Sequence, residues 1–344
     1  TRLVSDWSSD VCSSDLSLFT GDVNNDGNLT IGTGGMTLLG ASGQLYHNSG
    51  ASLVIGGNLT ASAGTAPTLN VDENVSHNSG TVSVKGASFT SGTWTGTSPA
   101  VFTSSNDVTV TGATVSFGST VTVDITGGND LLINDAATVN AGSGTGAAAD
   151  MNITGDVILT DAGAGANFNG QTRTLTIGGD IILAAGNAPQ FFGSDQASTV
   201  AGDITINDGS LSFMANLTMT TAGSDFTVVD GEFDLGAGTL TIPGDLINSN
   251  GDFDSTGGTV TLSGAAAVIN VTATAMDTIM GNLNVSGSYT FSAGDAFAFV
   301  VDCLFDISGT FTAGSATSTI VIDNGVDVTL DVNGATVTFG TLDM

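Results

Sequence analysis

Positive charge is almost absent from this chain: Lys and Arg together number 3 against 33 Asp and Glu, for a formal net charge of −30 at pH 7. Such a surface repels phosphate backbones and anionic headgroups, which disfavours nucleic acid and membrane surfaces and leaves cations as the natural counter-partners. Glutamate is scarce as well, with Glu73 and Glu232 the only two. Asp, 49 Gly and only 4 Pro make a turn vocabulary that admits left-handed backbone. Helix has little support where Glu and Lys are missing and Gly interrupts most windows. No apolar run is long enough to span a bilayer, so no transmembrane segment is expected. Cysteine is nearly absent: with Cys12 in a leading segment set aside below, Cys303 alone excludes an internal disulfide framework or a thiolate metal cluster. It reads as a small core residue. Disorder does not follow from the charge, because 40% of residues are hydrophobic and 10% charged, enough apolar surface for a core.

Residues 1–16 read TRLVSDWSSDVCSSDL, which resembles a translated sequencing-library adapter more than a protein segment. They are set aside from the fold. That removes Arg2, Trp7 and Cys12, leaves Lys85 and Arg173 as the only bases, and marks the chain as a fragment. Residues 1–16 are expected to pack poorly, with Trp7 outside any cap. Residues 17–344 are expected to form one domain, less regular before about residue 150.

What is present repeats. Phe168, Phe191, Phe213, Phe233, Phe253, Phe291 and Phe311 follow one another at steps of 23, 22, 20, 20, 38 and 20, with Val271 near the skipped position. One apolar side chain per coil, stacked in an internal ladder, explains that spacing. A second marker has the same period: a turn before Asp or Asn in ITGDV, IGGDI, VAGDI, IPGDL and IMGNL, with glycines at 155, 179, 202, 244 and 281. Short alternating runs such as TLTI, TVTL and TIVI lie between the markers and read as strands with Leu, Val and Ile inward and Thr outward. A coil of about twenty residues cannot bury its apolar face alone, so coils must stack in parallel. The fold class is all-β, a single-stranded parallel β-helix of about fifteen coils at roughly 22 residues each. Phe233 and Phe253 should stack in adjacent coils, and Asp156, Asp180, Asp203 and Asp245, which follow equivalent glycines, should form an outward column. Toward the N-terminus, HNSGASLVIGG from His47 and HNSGTVSVKGA from His77, offset by 30, read as a duplicated coil. The stretch AGSGTGAAA from Ala141 to Ala149 reads as a loop.

The phrases HNSGTVSV, TLTIPGDL, GTVTLSG and SGTFTAG resemble the degenerate repeats of bacterial secreted and cell-surface solenoids, among them filamentous-haemagglutinin-type adhesins and autotransporter passengers. The resemblance covers most of Thr20 to Met344. It implies an extracellular or cell-surface location, and it carries no ligand.

Candidate sites are few. Asp22, Asn24, Asp26 and Asn28, with Gly27 at the bend, resemble the first half of a calcium loop, in which alternate side-chain oxygens surround a hard cation. Position twelve is Thr33 instead of a bidentate acid, so an Asn/Asp-rich turn opening the first coil is the competing reading. No organic cofactor is expected, and calcium is the cation such a turn would take. Thr-x-Thr pairs at 109/111, 120/122, 174/176, 239/241, 259/261 and 336/338 raise an ice-binding face, but outward Thr is also a good strand residue. His47 and His77 lack a third ligand and read as turn residues. The N-x-S/T matches, such as those at Asn58 and Asn216, arise from the repeat vocabulary. A carbohydrate-cleaving β-helix needs converging carboxylates or a basic residue beside them, and only Lys85 and Arg173 offer the latter. The expected function is therefore a non-enzymatic extracellular or cell-surface stalk, adhesin or matrix element. Its partners would be surface or matrix ligands, glycans among them, and divalent cations. A carbohydrate-active lyase or glycosidase is the alternative, and an ice-binding solenoid the third reading.

Overall fold

The structure, a computed structural model, describes residues 3–4 and 17–343 apart from 40–42, 49, 64–65, 97–99, 119, 143–149, 161–164, 187, 272–277, 292–297, 313–318, 323–328, 333–335 and 339–340. It contains two units, Thr1–Gly179 and Asp180–Met344. Each is a parallel β-solenoid, and no helix among the described residues is long and apolar enough to cross a membrane.

In the first unit every coil contributes one strand to each of three parallel ladders. The first ladder runs from Val23–Asn25 through Leu45–His47, Leu69–Val71 and Ala87–Phe89 to Val157–Thr160. The second runs from Asn28–Ile31 to Asn167–Gln171, and the third from Ser17–Thr20 to Leu175–Ile177. Along these ladders the strands are three to five residues long, because each face of the coil has room for one to three inward side chains before a corner. Alternation assigns them: Leu53 and Ile55, then Val75 and His77, are buried while Ser52, Val54 and Ser76 are not.

The second unit repeats the scheme. Its first ladder begins with Ile181–Leu183, Ile204–Ile206, Phe226–Val228 and Leu246–Asn248. Gln190–Ser194, Ser210–Phe213 and Glu232–Leu235 start the second, and Ser198–Val200, Leu217–Met219 and Thr239–Ile242 the third. The last two then merge in Asp252–Leu262, one strand that turns the corner at a register shift between Ser255 and Thr259. Gly257 and Gly258 sit in that bend.

Phe233 stands opposite Phe253 in parallel register, with ring centroids 4.9 Å apart, as the spacing requires. The full Phe series is not one column, however. Phe191 faces Leu211, which faces Phe233, while Phe213 faces Leu235 at the next inward position. Phe291 faces Ile269 and Phe311 faces Tyr289, both in the first ladder. Two faces of a coil of similar length produce the same period, so spacing alone merges them. Val271 faces Asn248 and does not fill a skipped place.

Two further expectations change. The HNSG copies are not a duplicated coil: His47 ends a first-ladder strand opposite Val71, and His77 ends a second-ladder strand opposite Ile55. The same word turns two different corners. IMGNL also differs from the other glycine markers, because Gly281 lies inside the strand Thr278–Val285 while the others precede first-ladder strands. Coil length is uneven, with Thr90 bonded to Val71 19 residues back and Thr154 to Ile125 29 residues back. The coil count accordingly differs slightly from the fifteen of uniform division. Leu3–Val4 pairs with Val23–Asn25, and the remainder of 1–16, Trp7 included, lies outside the described residues. The side chain of Cys303 and residues 143–149 of the AGSGTGAAA stretch also lie outside them.

Candidate functional site: the polar corners

The corners carry most of the acids and the recurring side-chain-to-backbone bonds, because strands bury their inward side chains. Three corner types recur. Between the second and third ladders stands Asn: Oδ1 of Asn58 accepts the amide of Thr81 and Oδ1 of Asn216 that of Thr239, each at 2.9 Å. These two N-L-T sequons are therefore coil-stacking devices. Asn74 plays the same part between the first and second ladders, accepting from Thr93 at 3.0 Å.

Between the third and first ladders stands Asp. In the first unit Oδ1 of Asp107 accepts the amide of Asp130 at 3.0 Å, and Asp130 accepts that of Asp156 at 2.8 Å. In the second, Asp180 accepts from Asp203 at 2.7 Å, Asp203 from Asp225 at 2.9 Å, Asp225 from Asp245 at 2.7 Å, and Asp245 from Val268 at 2.7 Å. Of the expected column, Asp180, Asp203 and Asp245 belong to one stack in the second unit, and in the first Asp156 stacks on Asp130. The stacks also include Asp107, Asp130 and Asp225, which lack the Gly-Asp marker; Asp225 follows Ser224. Burial pushes the carboxyls of Asp130 and Asp225 up, and the neighbouring acids add to it.

In the second unit three successive corners from the first to the second ladder are built on Asp-Gly or Asn-Gly. Asp208-Gly209, Asp230-Gly231 and Asn250-Gly251 stack in successive coils, and the amides of Ser210, Glu232 and Asp252 donate to Pro189, Gly209 and Gly231 at 2.9, 2.8 and 2.8 Å. Gly209 is required twice over: its φ is +80°, and a Cβ there would lie 1.9 Å from the Pro189 carbonyl oxygen. This stack lines a groove of about 370 Å³ bearing Asp208, Asp230, Glu232 and Asp252, with Gln190 and Asn250 beside them. Oδ1 of Asp230 accepts from Asn250 at 2.9 Å, and the two oxygens of Asp208 accept from the amides of Gly186 and Gly209 at 3.4 and 2.6 Å. Phe192, 43% exposed, stands two residues from Gln190 on the same outward face. Sequence reasoning missed this groove, although its signal, Asp/Asn-Gly at steps of 22 and 20, was present.

The calcium-loop candidate is the same corner in the first unit. Asn24 lies in the strand Val23–Asn25, and Asp26-Gly27 turns into Asn28–Ile31. Asp26 accepts from the Asn48 amide, and Asn28 from the Ser52 hydroxyl at 2.7 Å, both in the next coil. Oδ1 of Asp22 is buried without a partner. Among the described residues no group of three or more His, Cys, Asp or Glu is placed to hold a metal ion.

His47 and His77 are core residues. Nδ1 of His47 accepts from Asn25 at 3.0 Å and Nε2 donates to the Asn74 carbonyl at 2.9 Å. His77 donates Nε2 to Gly80 at 3.3 Å, its Nδ1 is unpartnered, and its ring meets Trp94 edge-on at 5.5 Å. Burial lowers the pKa of both. Arg173 is fully buried, bonding the carbonyls of Gly118 and Asp150 at 2.5 and 3.4 Å; burial pulls its guanidinium down to about 10. It ties coils of the first unit together. Thr pairs 239/241 and 259/261 do align across coils, but the next coil places Asn282 and Asn284 in their columns.

No protein family, curated protein or solved structure matches this chain.

Proposed function

We propose that the chain is a structural or adhesive element of an extracellular or cell-surface assembly, working without catalysis. The observation that carries this reading is the use made of the polar corners. Asp and Asn oxygens at recurring corners accept backbone amides of the following coil, so the acids that dominate the charge hold the stack together. A repeat built this way gains length and stiffness coil by coil, the property a stalk or presenting surface needs. Short outward Thr, Ser and Asn side chains leave broad polar faces suited to surface or matrix ligands, glycans among them. The resemblance of the repeat phrases to secreted bacterial solenoids agrees with that location.

The acid-lined groove supports a second reading, a carbohydrate-active β-helix enzyme. Glu232 and Asp252 are register neighbours in it, and paired carboxylates on one face are what glycoside cleavage requires. One experiment separates the two. The purified chain is incubated with neutral and uronate-containing polysaccharides, following retention on immobilised glycan and release of reducing or unsaturated ends. Retention without product supports the adhesive reading. Product that disappears in Glu232→Gln would replace it with the enzymatic one.

A further inference from the structure

The Asp corner raises a question the hydrogen bonds do not answer, namely why the acceptor is charged. A backbone amide needs one acceptor oxygen, and at the neighbouring corner Asn58 and Asn216 supply it at 2.9 Å, the same length as the Asp203 bond to Asp225. Asn would serve equally in the Asp column. Carboxylates in successive coils instead stand at strand spacing, about 4.8 Å, well inside a Debye length of about 8 Å. At neutral pH the column therefore repels itself while it bonds the coils.

We propose that the Asp column is a proton-responsive spine: mild acid places a proton from solvent between neighbouring carboxyls and tightens the coil stack, and neutral pH loosens it. The added proton sits on Oδ2 of one Asp and donates to a carboxylate oxygen of the next, leaving each Oδ1 free to keep its amide. Asp225 faces Asp203 and Asp245 along the column, and the Tyr289 phenol lies behind it, where burial pushes that group up to about 12. Tyr289 stays neutral across this range, its hydroxyl directed at the carbonyls of Ile242 and Gly244 at 3.0 and 2.8 Å. Asp130 faces Asp107 and Asp156. Asp130 and Asp225 are raised, by burial first and then by these neighbours, against the lowering effect of the amide each accepts. A carboxyl raised in the fold contributes stability that is full below its unfolded value and is lost as pH rises through the folded value. Acid should thus strengthen the column at Asp130 and Asp225.

Thermal unfolding of the full chain tests this, comparing wild type with Asp225→Asn and with Asp130→Asn at pH 7 and pH 4.5. Asn keeps the acceptor and removes the charge. Both variants should unfold a few degrees above wild type at pH 7, and the gap should narrow at pH 4.5, because acid removes the wild-type charge that the Asn variants already lack. Comparing variants at one pH cancels the titration of His47 and His77, which all the proteins share. Asp225→Ala, which loses the acceptor as well, should unfold below wild type at both pH values. An Asn variant that melts below wild type at pH 7, or a gap that persists unchanged at pH 4.5, overturns the proposal.

Discussion

The two units share one backbone plan and fill it differently. In the first, the leading inward column of the second ladder reads Leu29, Leu53, Val75, Trp94, Val115, Val139 and Phe168 from coil to coil. In the second, the same ladder begins Phe191, Leu211, Phe233 and Phe253. The first unit also holds every Lys, Arg and His of the chain, with His47, His77 and Arg173 buried. Neighbouring strands need only a matching backbone register, so a column accepts any apolar side chain that its neighbours can pack around. Sequence regularity therefore measures how uniformly the interior is filled, not whether the coils exist.

The largest effects should come from the aromatic hubs. Phe233 lies 4.7 Å from Phe226 and 4.9 Å from Phe253 by ring centroid, and Trp94 meets His77, Phe89 and Phe102 within 5.8 Å. Phe233→Ala and Trp94→Ala should each cost about 3–5 kcal/mol. Hydrogen exchange should show the loss of protection centred on the unit that carries the change. Equal loss in both units from either variant would erase the distinction drawn between them.

Next come the corner glycines. Gly50 in the first unit has a φ of +81° with open space around its missing Cβ, whereas Gly209 in the second combines a φ of +80° with the Pro189 carbonyl 1.9 Å away. Gly50→Ala should cost about 1–2 kcal/mol, the left-handed penalty alone. Gly209→Ala should add an overpacking cost of roughly 1–3 kcal/mol. Denaturant midpoints for the two variants measure the difference directly, and matching midpoints would show that the second-unit corner is not closely stacked.

The smallest effect is the His-dependent part of the pH response, which belongs to the first unit. Burial lowers the pKa of His47 and His77, so their contribution is present above the unfolded value of 6.5 and is lost as pH falls through the folded values. Amide exchange between pH 7 and pH 5 should show first-unit strands around Leu45–His47 and Val75–His77 losing protection in wild type. That loss should shrink in a His47→Gln/His77→Gln double variant, while Phe226–Val228 should show no His-dependent change.

Much of the fold was legible from sequence because alternation and period report directly on strands and coils. Phe233 over Phe253 and the column through Asp203 and Asp245 are examples. What spacing does not encode is which face of the coil a marker occupies. Phe291 and Phe311 keep the period of Phe253 yet belong to another ladder, and the two HNSG words turn different corners. Asp225 was missed because its corner uses Ser224 in place of Gly, and the groove because Asp208, Asp230 and Asn250 read as ordinary turns until stacking brings them together.

Corner acids hold each coil to the next, and the amide of Asp245 reports on one such bond. That N–H donates to Oδ1 of Asp225 at 2.7 Å. Hydrogen exchange followed by NMR should find it protected in wild type and exposed in Asp225→Ala, with Leu246–Asn248 still protected by its own ladder. A fast-exchanging Asp245 amide in wild type, or one unaffected by Asp225→Ala, would mean that the corner acids do not hold the coils.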